Sequence, residues 1–451
     1  MKNRVLSMLA VMAVFATTSV ADDIAVTVYN SNLGVISETR TLTFEEGENQ
    51  LAFRDVPSSI DPNSVRFELV DGSGEVAILE QNYAFDLVNS SKIYDKYIDK
   101  RIELIDEDGE IYAGTLLAYG GGTVTLQSTD GPLKIVQMGD IREVNFPELP
   151  EGLVTRPTLF WRYVSDISGD RDTRVGYQTT NMSWSAEYVG LLDENDENLD
   201  LSGWAAINNT SGKTYKDATL KLIAGDISRA RPEPQFRGGR ADVMVVPSIA
   251  KGFDQKAFFE YHMYTLPRKA TVADKEIKQI SLFEPARTTV EKVYLYEPGR
   301  NATQVKVAVK FVNSEETGLG MPLPAGRVRL FKADTDGSMI LLGEDRIDHT
   351  PRDEELSLTV GYAFDIMAEE TTVNRARISK SVEDVDFEVE LRNRKDEAVT
   401  VTVEKDLWGY WEITDADFEW TKKDANTITF DVSIPAEETV TVRYTVRFTN
   451  R

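Results

Sequence analysis

Two histidines, His262 and His349, and no cysteine restrict the chemistry open to this 451-residue chain. Zinc sites draw mainly on those two residue types, and no H-E-x-x-H pair occurs. A Ser–His–Asp relay is formally open to either histidine. The G-x-S-x-G turn that presents a serine nucleophile is absent, so both read as surface or strand histidines. Gly212-Lys213-Thr214 matches the end of a phosphate-binding loop. The first glycine of G-x-x-x-x-G-K-[ST] falls on Ile207, however, and the segment reads as a hairpin and not a strand-to-helix turn. The phosphate reading is set aside, because the backbone cradle needs that glycine and that helix.

Oxygen and arginine chemistry remain. Asp193, Asn195 and Asp196 lie in an acidic run from 193 to 198 and are candidate calcium ligands, since calcium prefers hard oxygen donors. The run lacks the glycine and flanking helices of an EF-hand, so a solvated hairpin loop is the simpler reading. Asp334, Asp336 and Gly337 carry the same two readings, Asp-Gly being common hairpin chemistry. Glycoside cleavage needs two carboxyls about 5–10 Å apart, and among 75 acids no pair stands out. Arg229, Arg231, Arg237 and Arg240 crowd a long loop, 228–253, that also holds Pro232, Pro234, Gly238, Gly239 and Pro247. Arginine forks carboxylates, which makes these four candidate contacts for an anionic glycan or a partner protein. The Pro/Gly content equally suits a solvated segment. No cofactor is expected.

The elements that must position these residues are strands. Ile24 to Tyr29 is rich in β-branched residues, Ile36 to Phe44 alternates, and Val65, Phe67 and Leu69 alternate with polar neighbours. Short runs with polar turns between them predict an all-β chain. Residues 22–91 form an N-terminal β domain. Residues 92–147 predict one short helix, with Ile93, Tyr94, Tyr97 and Ile98 at helical spacing. Five strands follow at 101–105, 111–119, 124–127, 133–137 and 141–146, with turns at Asp108-Gly109 and Asp130-Gly131. Helix plus five strands resembles the small Sm-like or SH3-like barrels. Residues 148–372 predict a β-sandwich in which 218–224 returns as hairpin partner of 199–208, and 328–333 pairs with 339–343. Residues 373–451 predict an immunoglobulin-like sandwich. The fold class is thus tandem β-sandwich modules with an inserted small barrel. An outer-membrane barrel needs strands of about 9–11 residues, longer than most here.

Lys2 and Arg4 precede an apolar run from 5 to 16, and Ser19 and Ala21 are small. That pattern predicts a signal peptide, 1–21, cleaved after Ala21, and a periplasmic or secreted protein. No later stretch is long and apolar enough for a spanning helix. A formal charge of −25 repels phosphate polymers, which argues against nucleic acid. Without disulfides, each domain must rest on an apolar core.

Several motifs group the chain with known proteins. They are Ser202-Gly203-Trp204, Asn209-Thr210-Ser211-Gly212, Ala224-Gly225-Asp226, Tyr264-Thr265-Leu266-Pro267 and Lys278-Gln279-Ile280. Leu323-Pro324-Ala325-Gly326, Leu341-Leu342-Gly343-Glu344 and Leu391-Arg392-Asn393-Arg394-Lys395 complete the set. Together they resemble bacterial exported proteins with the C-terminal domain of unknown function 4139, some labelled mucoidy inhibitor A-like. The likeness covers about 150–451, with a weaker one from Asp55 to Val65. Longer relatives carry a coiled coil where this chain has the small barrel. The resemblance implies exported β-sandwich modules and supplies no catalytic residue; its mucoidy label points to exopolysaccharide or envelope homeostasis. The expected function is a non-enzymatic envelope binding or scaffolding module for a protein or surface polysaccharide. The alternative is a carboxylate-based glycan-acting hydrolase.

Overall fold

The computed structural model describes residues 23–70, 72, 74–128, 131–150, 152–225, 254–258, 261–300 and 302–449. The predicted signal peptide, all four loop arginines and Asp130 lie outside them. The chain is all-β, as the alternation predicts. In Leu33–Phe44, for example, every second residue from Ile36 onward is buried. One α-helix, Ser90–Lys96, is capped by Asn89, whose side chain accepts the Lys92 N–H. No helix among the described residues is long and apolar enough to cross a membrane.

The chain divides into two compact units. The first holds the described residues up to Ser183, with Asn208–Leu220 and Arg268–Glu276. In it, Asp23–Tyr29, Leu33–Phe44, Gly169–Thr179 and Ile60–Leu69 run side by side and antiparallel. Gly47–Arg54, Thr158–Ser165 and Val76–Ala84 form a second sheet. Aromatic rings fill the space between them: Phe67 meets both Phe44 and Trp161 edge-on, and Phe53 stacks on Trp161.

The same unit carries the predicted helix and five short strands. Their order is Ile141–Asn145, Arg101–Asp106, Ile111–Gly120, Thr123–Gln127, Leu133–Gln137, and Tyr94 and Tyr97 of the helix region pack on Ile102, Leu104 and Leu126. The sheet does not close into a barrel, because its two end strands do not pair with each other. Leu133–Gln137 leaves four of its five residues exposed, so little apolar area is available to draw the ends together.

The second unit holds Trp184–Ile207, Lys221–Pro267 and Ile277–Arg451. Met182–Leu192 pairs in parallel with Gly326–Ala333, which forms the predicted hairpin with Met339–Ile347. A nine-stranded sheet curls around one core. Val385, Phe387 and Val389 come from one part of it, and Val401, Phe430 and Val432 from another. Its longest strand, Glu355–Arg377, runs through the expected 372/373 boundary.

The predicted hairpin between 199–208 and 218–224 does not form. Asn198–Asn209 neighbours Met182–Leu192 and Glu276–Ser281, whereas Tyr215–Ala224 pairs with Ala270–Val272 and Tyr261–Thr265. Asn209 is the reason. Its Oδ1 accepts the Ser211 N–H, and its Nδ2 donates to the carbonyls of Lys213, Val272 and Ala273. The side chain holds the turn open and ties it to a different segment. Asn393 repeats the device at the end of Val382–Asn393. Its Oδ1 accepts the Lys395 N–H, and its Nδ2 donates to Glu397, Ile434 and Pro435 carbonyls.

Candidate binding cleft

Two bulges in Glu355–Arg377 shape a cleft of the second unit. Against Gln304–Val312 the register runs Ala308↔Thr359, then Val307↔Gly361, which leaves Val360 extra. It then runs Lys306↔Tyr362 and Gln304↔Met367, so one residue opposes four. Bulges re-aim side chains and free backbone groups. The Asp345 carboxylate takes up the Thr359 N–H at 2.6 Å. At the second bulge Phe364 is thrown outward and is 95% exposed.

Beside these bulges lies a cleft of about 430 Å³, within the range of about 300–1,000 Å³ usual for small-molecule sites. Val307, Val309 and Leu342 form its apolar floor, and Tyr362 and Phe364 belong to its wall. Lys292 and Tyr294 alternate along Glu291–Tyr296, so both point into the cleft. Lys332 comes from Gly326–Ala333, and Lys395 from the turn that Asn393 organises. The Arg394 N–H donates to the Asp365 carbonyl and fastens that turn to the bulge.

The three ammonium groups are held in two ways. Lys292 and Lys332 donate to the two carboxylate oxygens of Asp196, at 2.8 and 2.6 Å. Burial alone would raise the Asp196 carboxyl, but the two ammonium groups outweigh it and hold the acid below the usual range. Burial pulls Lys292 down, and Asp196 more than restores it, leaving the ammonium above its usual value. Lys395 donates to the Tyr294 hydroxyl at 3.0 Å, which raises it further, and it lies 3.5 Å from Glu397 at the rim. Lys395 and Lys292 also lie near the Tyr294 ring, 5.4 and 6.0 Å from its centroid.

The candidate calcium ligands occupy the edge of this arrangement. Asp193 closes its own turn, accepting the Glu197 and Asn198 N–H groups and the Asn198 amide, and Arg287 lies 3.4 Å away. Asp196 faces lysines. Among the described residues no group of three or more His, Cys, Asp or Glu could hold a metal ion. Asp334 and Asp336 accept N–H groups of Thr335 and Ser338 within the hairpin turn. His349 Nδ1 accepts the Ala325 N–H, and burial first, then nearby His349, lowers the His262 imidazole.

Lys213, from the rejected phosphate motif, belongs to a buried cluster of the first unit. Its Nζ lies 3.1 Å from both oxygens of Glu38. Arg40 forks the same carboxylate at 2.9 Å, and the Tyr177 hydroxyl donates to it at 2.9 Å. Burial would raise Glu38, yet Lys213 and Arg40 together hold it below the ordinary carboxylate value. Burial pulls Lys213 down, against the pull of Glu38. The Tyr215 hydroxyl is buried beside Ser211 and Tyr177, and burial pushes it well above its ordinary value. Glu38 has no solvent exposure, so the cluster anchors the sheet and offers no substrate a route in. Sequence reasoning missed it, although the signal was present: Glu38 and Arg40 share the inward face of Ile36, Leu42 and Phe44.

The family model described as domain of unknown function DUF4139 matches residues 173–449, more than half of the chain. The chain belongs to this family. The model described as N-terminal domain of unknown function DUF4140 matches residues 26–110. No curated protein matches the chain. The whole cleft falls within the DUF4139 match, and the resembling motifs acquire physical reasons there. A Cβ on Gly343 would stand 2.1 Å from the Val360 carbonyl oxygen, so only glycine lets Met339–Ile347 approach the bulged strand. A Cβ on Gly326 would stand 2.3 Å from the Ala186 oxygen, at the parallel pairing with Met182–Leu192. Asn393 and Lys395 set and furnish the last wall of the DUF4139 cleft.

Proposed function

We propose that this DUF4139 protein is a non-enzymatic binding protein of the bacterial envelope, exported by its 1–21 segment, and that the cleft holds a protein segment or surface polysaccharide. One observation carries the reading: an aromatic side chain 95% exposed on a bulge lines the same cleft as three lysines. Phe364 leaves apolar surface in water, and the three lysines of the lining exceed its two carboxylates, Asp196 and Asp365, by one. A ligand that covers the ring and meets the surplus cation suits both. The resemblance of the sequence motifs to mucoidy inhibitor A-like proteins points the same way, toward an envelope polysaccharide. The competing reading, a carboxylate hydrolase, needs one carboxyl kept protonated near neutral pH. Asp196, clamped by two lysines, is held in the opposite direction.

A photoreactive benzoylphenylalanine placed at Phe364 in cells tests the reading. The same group at Ile277, exposed at 67% on Glu276–Ser281, is the control. An envelope adduct of defined composition at position 364 and none at 277 is expected. Equal labelling at both positions would overturn the cleft as the binding site.

A further inference from the structure

Resting on that reading, we infer that the cleft takes a carboxylated pyranose, a uronate unit of an acidic saccharide. The three lysines are not equivalent. Lys292 and Lys332 spend one donor each on Asp196 and hold one another in place through it. Lys395 is matched differently: its closest partner is the neutral Tyr294 phenol at 3.0 Å, and Glu397 lies farther off with a side chain 68% exposed. An ammonium has three donors. The phenol takes one and Glu397 engages a second, which leaves a third donor for a ligand in the cleft. Tyr294 fixes that ammonium in position through its hydroxyl.

The other half of the site is apolar and flat. Phe364 is almost wholly exposed and Tyr362 is 49% exposed, and both belong to the cleft wall. A pyranose has one face of C–H groups, suited to the electron-rich face of an aromatic ring, and an edge of polar substituents. With the ring laid on Phe364, a carboxylate at its edge can meet Lys395. A charge-assisted bond in a half-buried site is stronger than a bond to a neutral hydroxyl. The lining sets Lys292, Lys332 and Lys395 against Asp196 and Asp365, a surplus of one cation in a chain of formal charge −25. That background repels long polyanions over about 8–10 Å, so a short acidic stretch or chain end fits better than a long one.

Calorimetric titration of the full chain with trigalacturonate and with its methyl ester tests this, because the ester keeps the rings and removes the charge. The acid is expected to bind and the ester to bind about ten-fold more weakly. Lys395→Gln should bring the acid level with the ester, and Phe364→Ala should weaken both. Ester and acid binding equally would overturn the carboxylate assignment while leaving the cleft a binding site. No heat from either ligand would overturn the saccharide, and cross-linking at position 364 then judges the broader reading separately. Binding unchanged in both variants would overturn cleft and ligand together.

Discussion

Lys213 reaches across 175 residues of chain to place its Nζ 3.1 Å from each carboxylate oxygen of Glu38. Arg40 holds the same carboxylate, so one buried anion faces two buried cations. The imbalance predicts unequal mutants. Glu38→Gln leaves two cations uncompensated and should cost about 3–5 kcal/mol. Lys213→Met leaves a neutral Glu38–Arg40 pair and should cost no more than about 1–2 kcal/mol, chiefly from altered packing. Urea denaturation measures both. Equal losses would contradict the charge count.

Acid stability should reflect His262 before it reflects Glu38. Burial first, and then His349, lower the His262 imidazole from its ordinary 6.5. The unfolded chain therefore takes the proton first as pH falls below about 6.5, and the folded state loses stability until the lowered value is passed. Glu38 is lowered from 4.5. Its contribution is present above pH about 4.5 and is lost as pH falls through its folded value. Melting temperature followed from pH 8 to 2 should drop in two stages, and His262→Gln should flatten the first. An unchanged profile in that variant would remove the histidine from the account.

Asn393→Ala should be more damaging than its modest size implies. It strips one amide from three carbonyls and exposes the Lys395 N–H to loss of its acceptor. A buried group left unsatisfied costs about 1–3 kcal/mol, so a loss of about 2–4 kcal/mol is expected in the second unit. Lys395 would also lose its fixed turn, and ligand binding should fall with stability. A variant that melts like the parent would show the turn to be held by other contacts.

Gly343→Val should push Met339–Ile347 away from Val360, because a Cβ there meets a carbonyl oxygen at 2.1 Å. Overpacking of this kind costs about 1–3 kcal/mol. Hydrogen exchange should show the Thr359 amide, held by Asp345, exchanging faster. Unchanged exchange at Thr359 would mean that the two strands part elsewhere.

Strand periodicity made much of this legible. Ile36, Leu42 and Phe44 announced a buried face, and the hairpin around Asp334 to Gly337 followed from turn chemistry. The helix and five strands of the small sheet were also readable, because local patterns set them. The failures were non-local. Nothing near Asn209 in sequence shows that its amide binds Val272 and Ala273, which is what prevents the expected hairpin. The cleft was invisible for the same reason. Lys292, Lys332 and Lys395 lie on three separate segments, and only the bulges in Glu355–Arg377 bring Phe364 beside them. A bulge leaves little mark in alternation when its neighbours are Tyr362, Ala363 and Asp365. The sequence candidates were instead chosen for local density, as with Asp193, Asn195 and Asp196, and one of them proved to serve the lysines.

The central claim is that the cleft at Phe364 binds an envelope component, and thermal melting against a panel of envelope polysaccharides tests it most directly. The parent and Phe364→Ala would be melted side by side. A ligand that binds only the folded state at 100 times its dissociation constant adds about 2.7 kcal/mol, which gives a visible shift. Phe364 is exposed, so its removal should leave the unliganded melt unchanged. The account predicts that at least one polysaccharide raises the melting temperature of the parent and that Phe364→Ala abolishes most of the rise. An equal rise in both proteins, or no rise with any polysaccharide and no adduct at position 364, would contradict it.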